Sequence, residues 1–265
     1  MGYRFDSEHH LHTLDGIPLM GTSTVVGVIS KPLSWWASGL AVKEFGWTPV
    51  NSKDKKKIPT EQRLPAAAAR FAEIKQLSDE EYLKLLDKAY RAHHENLDKT
   101  AEVGTDRHEQ LEKYVRNVLE YFDGEPVEVD DTPAVSLFSK WASEHVSRFL
   151  ISESHCYSRR LWTGGIVDLL FLDKHNKLVI MDFKSSRQAY LSQFFQIAGY
   201  DIAIQENGVF DSDGNLIYEC EQPIDYYAVL PFGMTNPEPQ FYHAVDVAKK
   251  AFEASVVLHK IISKN

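Results

Sequence analysis

The sequence predicts an α/β protein: a mixed central sheet flanked by helices, with a mostly helical N-terminal extension. Three observations predict it. Two short aliphatic runs, Ile166–Leu172 and Leu178–Phe183, flank the polar segment Asp173–Lys177 with its Asn176, which reads as a β-hairpin. Each run carries one carboxylate in an otherwise apolar setting, Asp168 in the first and Asp182 in the second. Helical patterns precede and follow the hairpin, and a further strand comes after. A helix–strand–strand–helix–strand order gives a mixed sheet with helices on its faces.

The chain opens with a small module over Arg4–Trp47. His10–Thr13 followed by Asp15-Gly16 predicts a hairpin, because Asp-Gly suits the positive φ angles of a tight turn. Ser23–Ser30 suits a strand or a helix start. Lys31–Trp36 opens a helix with Ser34 as N-cap and Ala37–Phe45 as its body. Trp35 and Trp36 either pack that helix on a core or stack on bases. Lys53–Lys57 is the densest positive run, a solvated loop or a set of phosphate contacts. Pro59 and Pro65 keep this segment from being one helix, and helical composition returns over Ala66–Lys75. Ser78 with Glu81 is a capping box that starts a helix through Tyr82, Leu85, Leu86 and Ala89. His93 and His94, near its end, read as surface.

Gly104–Tyr121 is the next helix, and His108, Leu111, Val115 and Leu119 fall on one stripe, so His108 points at the sheet. Phe122–Pro126 breaks the chain. A helix over Ala134–Phe149 carries Phe138, Trp141 and Phe149 on a buried stripe, with His145 as a packed core residue. Ile151–Tyr157 is a strand bearing Glu153, either an exposed edge charge or part of a site. After the hairpin, a helix over Arg187–Gln205 sets Gln196 and Tyr200 on one face. Asp211–Asn215 is a turn, Ile224–Leu230 a strand and Ala244–Ile262 an amphipathic terminal helix.

The hairpin register follows from its turn. Centred near His175, it pairs residues whose numbers sum to about 350, so Asp168 faces Asp182 with Cβ atoms roughly 4.5–5.5 Å apart. Lys184 joins Asp182 on that face while Phe183 points away. Two like charges in an apolar sheet repel, and each carries a desolvation cost. A divalent cation bound through oxygen removes the conflict; Mg²⁺ takes one or two protein carboxylates and leaves sites for water and phosphate. An edge hairpin with both Asp side chains in solvent and Lys184 as their partner is the plainer alternative.

Gly165-Ile166-Val167-Asp168, Asp182-Phe183-Lys184 and Gln196-Ile197-Ala198-Gly199-Tyr200, preceded by Gly104-Thr105-Asp106-Arg107-His108, stand in the order G-x-x-D, D-x-K, Q-x-x-x-Y after a helical His. This resembles the PD-(D/E)xK nucleases, specifically the phage-type RecB-like exonuclease branch, which is similar to the exonucleases of mitochondrial genome maintenance. The resemblance spans about Glu102–Leu230, with Val167 where the family name has Pro. It implies a restriction-endonuclease-like core over residues 101–232, an extension over 1–100 packed on it and a C-terminal helix within 233–265 of the same domain. It implies hydrolysis of DNA phosphodiesters with Mg²⁺ or Mn²⁺ held by His108, Asp168, Asp182 and the Phe183 carbonyl. Lys184 would position water or offset transition-state charge. Glu153 would stand in the outer shell of the metal site, and Gln196 and Tyr200 would line the substrate groove and support Lys184. The implied substrate is single-stranded or end-bearing DNA in replication, recombination or repair, with a recombination or replication protein as partner. A structure-selective or restriction-type endonuclease, or a non-catalytic DNA-binding protein, is the alternative on the same fold. Since His binds metal only when neutral, activity is expected to fall below about pH 6.5.

Composition sets bounds. Hydrophobic residues at 43% and charged residues at 25% are ordinary for a globular protein. No apolar run approaches the roughly 18 residues of a membrane span, and the polar start Met1–His12 lacks a signal-peptide pattern, so the expectation is a cytoplasmic protein without a membrane partner. Asp6 stands where a myristoylation pattern requires Ser or Thr. Cys156 and Cys220 alone cannot build the four-cysteine iron–sulfur cluster that some relatives in the branch carry, nor a four-cysteine zinc site. A net charge of -9 is unfavourable for a generic nucleic-acid coat; a local basic rim would bind nucleic acid weakly and in a salt-sensitive, Mg²⁺-dependent way.

Overall fold

The computed structural model describes residues 2–29, 34–49, 60–119, 132–233 and 237–263, with the backbone alone at 34–36 and 97–105. Lys53–Lys57, Phe122–Pro126 and the side chains of Ser34, Trp35 and Trp36 lie outside the described residues. The chain divides into two compact units, one of Met1–Ser30 with Val103–Asn265 and one of Lys31–Glu102. The boundary drawn at residue 100 from the sequence therefore differs at the N-terminus, where Met1–Ser30 belongs with the sheet-bearing unit.

The first unit begins with β1 (Tyr3–Asp6), β2 (Leu11–Leu14) and β3 (Ile17–Pro18), a small antiparallel sheet. Asp15 (φ 53°) and Gly16 (φ 78°) make the tight turn that Asp-Gly predicts. β4 (Met20–Gly21) then leads into α1 (Thr22–Gly27), so the segment readable as strand or helix start is a helix.

The second unit carries α2 (Ser34–Lys43), α3 (Thr60–Ile74) and the start of α4 (Asp79–Val118). Pro65 lies inside α3, against the expectation that it would interrupt a helix. It forfeits one backbone donor, but Ala66–Ala69 immediately after it are the best helix formers. Arg70 Nε donates to the Glu44 carbonyl at 3.0 Å and the Arg63 guanidinium sits 4.4 Å over the Trp47 ring, bracing α3. The capping box forms: the Ser78 N–H meets Glu81 Oε2 at 2.8 Å and the Glu81 N–H meets Ser78 Oγ at 3.4 Å. The two helices expected over 78–121 are one, 40 residues long. No Pro lies between them, and a lone Gly104 costs about 1 kcal/mol, too little to stop a helix of this length.

Within the first unit, α5 (Pro133–His145) is capped by Thr132, whose hydroxyl accepts the Val135 N–H at 3.4 Å. The helix ends four residues short of the expected Phe149, because Val146, Arg148, Phe149 and Ile151 pair with β6 residues Asp173, Leu172, Phe171 and Leu170. β5 (Val146–Ser158) follows directly. His145 is exposed rather than in the core, its ring stacked on Trp141 at 5.2 Å. β6 (Thr163–Asp173), β7 (Leu178–Lys184), α6 (Leu191–Asn207), β8 (Val209–Phe210), β9 (Leu216–Tyr218), β10 (Tyr226–Pro231), β11 (Gln240–Tyr242) and α7 (Val245–Ile262) complete the unit.

The main sheet runs β11-β10-β7-β6-β5-β8-β9, with β4 beside β6. β7–β10 and β4–β6 are parallel and the other pairs antiparallel, so this is an α/β protein with a mixed sheet. Leu111, Val115, Phe138, Phe171 and Met181 form one buried layer, joining α4 and α5 to the sheet. Ile180, Ile197, Ala203, Tyr227 and Phe252 form another with α6 and α7. The β6–β7 ladder pairs Leu169 with Met181 and Leu172 with Leu178, the expected register. β5 covers one edge of β6 throughout, whereas the other edge meets β4 at Thr163–Gly164 and β7 only from Leu169. Residues 165–168 therefore lie between two ladders, and the candidate site opens there. Among the described residues no helix is long and apolar enough to cross a membrane.

Candidate functional site

Three carboxylates arise on three adjacent strands. Ser152 pairs with Leu169 and Ser154 with Val167, which brings Glu153 of β5 abreast of Asp168 on β6. One step beyond the Leu169–Met181 pair, Asp168 comes abreast of Asp182 on β7. Glu153 holds φ at 41°, a left-handed conformation that costs a non-glycine residue on the order of 1–3 kcal/mol and clusters at functional sites.

His108 reaches these acids from α4, on the stripe fixed by the buried Leu111, Val115 and Leu119. Its Nε2 lies 3.0 Å from Asp168 Oδ2 and its Nδ1 3.7 Å from Glu153 Oε2. His108, Glu153 and Asp168 each offer a ligand atom within 4.8 Å of the others. Asp182 is not in that group. Its Oδ2 faces the Lys184 ammonium at 2.6 Å, as the shared face of β7 predicts. Of the expected ligands, His108 and Asp168 fall in this group; Glu153, expected in the outer shell, lies beside them, while Asp182, expected as a ligand, faces Lys184. Phe183 donates its backbone N–H to Asp168 Oδ2 at 2.6 Å and sets its ring edge-on to His108.

The charges are unbalanced. Burial pushes Glu153 up to about 8, with the Asp168 charge adding to it, and pushes Asp182 up to about 6. Burial also opposes ionisation of Asp168, but His108, Lys184 and the Phe183 N–H outweigh it and hold that carboxyl below its ordinary range. For His108 burial favours the neutral ring, yet Asp168, Glu153 and Asp182 outweigh it and raise the imidazole to about 9. Asp182 Oδ1 and Glu153 Oε2 are buried without a hydrogen-bond partner. Glu112, one turn along α4 from His108, adds a further carboxylate raised by burial and ion-paired with Arg116. Orphaned acid oxygens beside an imidazole are a donor set that fits a hard divalent cation.

All eight residues singled out from the sequence (His108, Glu153, Asp168, Asp182, Phe183, Lys184, Gln196 and Tyr200) line one cleft of about 610 Å³. Gln196 and Tyr200 come from α6 and are hydrogen-bonded to each other, the Gln196 amide donating to the phenol oxygen. Gly165 explains the glycine of the G-x-x-D motif: a Cβ there would lie 2.5 Å from Tyr200 Cε1 and 2.7 Å from Thr22 Oγ1. Thr22, which also lines the cleft, was not foreseen. It stands in a six-residue helix with no motif around it, so nothing local marks it. Glu112 carried a weak signal, its i+4 spacing from His108. No protein-family model matches the chain, and no curated protein matches it at a significant level.

Proposed function

We propose that this chain is a metal-dependent deoxyribonuclease of the PD-(D/E)xK, RecB-like type on a restriction-endonuclease-like core, acting as an exonuclease on single-stranded or end-bearing DNA. The observation that carries the reading is the convergence of Glu153, Asp168 and His108 within one ligand sphere, beside Asp182 and Lys184. His108, Glu153 and Asp168 would hold Mg²⁺ or Mn²⁺, with Asp182 completing the acidic row. When bound, such an ion supplies Lewis-acid polarisation of a phosphate and acidifies water.

The chain's own groups do the rest. Lys184 is held over Asp182 with its pKa raised: burial alone would lower it, but Asp182 and Asp168 keep it cationic. There it can orient an attacking water or offset charge developing on phosphate, a role worth about 10²–10³ in rate for one preorganised donor. The Phe183 N–H fixes the Asp168 carboxylate so that it cannot swing away from His108. Gln196 and Tyr200 present a polar wall beside the acids. Replication, recombination or repair, with a protein partner from one of those processes, is the setting this reading suggests.

The test is cleavage of linear against closed-circular DNA with Mg²⁺, Mn²⁺ or EDTA. Degradation of linear DNA alone, abolished by EDTA and by Asp182→Ala or Lys184→Ala, supports the exonuclease reading. Cutting of the circle would turn it to an endonuclease, and inertness on both would leave a DNA-binding role.

A further inference from the structure

We propose that His12 is a binding residue for the nucleic-acid strand: Tyr3 fixes its ring as a neutral donor whose Nε2–H faces the cleft and takes a phosphate oxygen away from the bond that is cut. The phosphate role rests on the functional reading above.

The N-terminal sheet builds the device. Its register sets Phe5 of β1 opposite His12 of β2, so both rings and that of Tyr3, two residues back, share one face. The Tyr3 hydroxyl meets His12 Nδ1 at 2.6 Å, and the Phe5 ring packs 4.7 Å from the imidazole. Tyr3 is 5% exposed and packs against the rings of His12, His155, Tyr157 and Phe210. Among the described residues, His12 is the one hydrogen-bond partner of its hydroxyl. Were Nδ1 the donor, the phenol hydrogen would be left without an acceptor in a buried site walled by rings, at the desolvation cost of an unpaired polar group. The phenol therefore donates, Nδ1 accepts, and the imidazole hydrogen is on Nε2. No described residue engages Nε2, and His12 lines the cleft. Burial first, with His155 and His10 adding, lowers His12 to about 3, so the ring is neutral at working pH.

β6 fixes the place. A Cβ on Gly164 would lie 2.9 Å from His12 Cβ and 3.0 Å from its Cγ, so this glycine admits the imidazole against the strand. Gly164 precedes Asp168 by four residues on the same face of β6, about 13 Å along the strand. At that distance His12 does not touch a phosphate held by the acids; it meets one farther along the same nucleic-acid strand. The lining of the cleft is divided accordingly. Glu153, Asp168 and Asp182 come from β5, β6 and β7, whereas the wall supplied by the N-terminal segment between His10 and Thr24 contains no carboxylate. His10, whose ring lies 6.2 Å from that of His12, and the exposed hydroxyls of Ser23 and Thr24 belong to this wall.

Tyr3→Phe removes the phenol oxygen, and His12→Phe keeps a ring in the cluster while removing its N–H. Should His12→Phe alone fold poorly, combining it with Tyr3→Phe leaves no buried phenol without a partner. Two readouts are taken on the full chain. One is the ring ¹⁵N spectrum of histidine-labelled protein at neutral pH without metal or DNA, with His12 assigned by its loss in His12→Phe. The expected spectrum has the hydrogen on Nε2 and an acceptor Nδ1, whose resonance moves in Tyr3→Phe. The other is the Kd of a fluorescent single-stranded oligonucleotide with Mg²⁺, in an Asp182→Asn background where cleavage is slow. His12→Phe should weaken binding about tenfold, as for the loss of one hydrogen bond. The slope of log Kd against log salt should not change, since a neutral donor displaces no counterion. With methylphosphonate placed at one linkage at a time, one position should weaken binding by His12 and weaken His12→Phe no further. A hydrogen on Nδ1, or an imidazolium at neutral pH, overturns the proposal. So do an unchanged Kd, a reduced salt slope, or penalties that add at every linkage. A chain with His12 intact that binds no oligonucleotide overturns the functional reading and the phosphate role together, while the resonances still decide the state of the ring.

Discussion

His108 Nε2 lies 3.0 Å from Asp168 Oδ2, so the imidazole that would bind a metal is already paired with the carboxylate that would bind it too. A proton stands where the ion would go. His108 is raised from 6.5 to about 9, and its stabilising pairing is fully present below 6.5 and lost as pH rises through about 9. Glu153, raised by burial from 4.5 to about 8, has the same sign: its burial costs no charge while both states are protonated, and it destabilises the fold progressively as pH rises from 4.5 through about 8. The metal-free protein should therefore lose stability between about pH 4.5 and pH 9, as read from denaturant midpoints in EDTA. Mn²⁺ binding should release protons to the solution, and its apparent affinity should climb through the same range. The decline in activity expected below about 6.5 from an unperturbed His should thus begin nearer 9.

Asp182 carries the opposite tension between stability and function. Burial first, and Asp168 second, raise it to about 6 against the pull of Lys184, and one of its oxygens has no hydrogen-bond partner. Its ionised form is a burden on the metal-free fold at neutral pH. Asp182→Asn should raise stability by on the order of 1 kcal/mol, the lost attraction to Lys184 discounting a larger gain. For a chain of this size that is about 2–4 °C in melting temperature. Cleavage should fall by about 10² or more. A melting temperature lowered in EDTA would show that the Lys184 pair outweighs the buried charge.

The parts of this site that were legible in the sequence share a reason. Asp168, Asp182, Lys184, Gln196 and Tyr200 sit in elements whose period is set locally, so counting from the Asp173–Lys177 turn or along one helix face puts each in place. His108 was legible because Leu111, Val115 and Leu119 fix its face of α4. The place of Glu153 beside His108 and Asp168 was not, since it rests on a left-handed backbone residue between the Ser152–Leu169 and Ser154–Val167 pairs of β5 with β6. Thr22 was hidden for a similar reason, its place being fixed by a two-residue parallel pairing across 143 positions of sequence. The end of α5 was misplaced because Val146–Ile151 continues a plausible helical stripe, and its pairing with β6 decides otherwise. β1, β8, β9 and β11, of two to four residues each, are too short to show a period.

Gly165 should not tolerate a side chain. The Cβ of Gly165→Ala would meet Tyr200 Cε1 at 2.5 Å and Thr22 Oγ1 at 2.7 Å, and both partners are buried. Neither is the free end of a flexible chain. Over-packing of this kind costs about 1–3 kcal/mol, which urea unfolding would show as a lower midpoint with an unchanged slope. Cleavage should fall as well, since the displaced residue lines the cleft. A midpoint equal to that of the wild type would mean that α6 yields more easily than its packing implies.

Asp173 holds the turn that sets the register of the acids. Its Oδ1 accepts the N–H groups of His175 at 2.7 Å and Lys177 at 2.9 Å, and its Oδ2 accepts the Tyr226 hydroxyl at 2.7 Å. Burial would raise this carboxyl, but the Lys177 N–H, the Tyr226 hydroxyl and the His175 N–H outweigh it and hold it below 3.8. A depressed carboxyl stabilises the fold above its ordinary value, and that contribution is lost as pH falls below 3.8 through the folded value. Asp173→Ala should cost about 1–3 kcal/mol at neutral pH by leaving these donors unpaired. The gap between the wild type and the variant should close as the solution is acidified below 3.8, which parallel urea titrations at neutral and acid pH would measure. A gap that stays constant into acid would assign the cost to lost packing and not to the charge. Because the same turn sets Leu169 against Met181, and so Asp168 beside Asp182, the variant should also lose cleavage at temperatures where it is still folded.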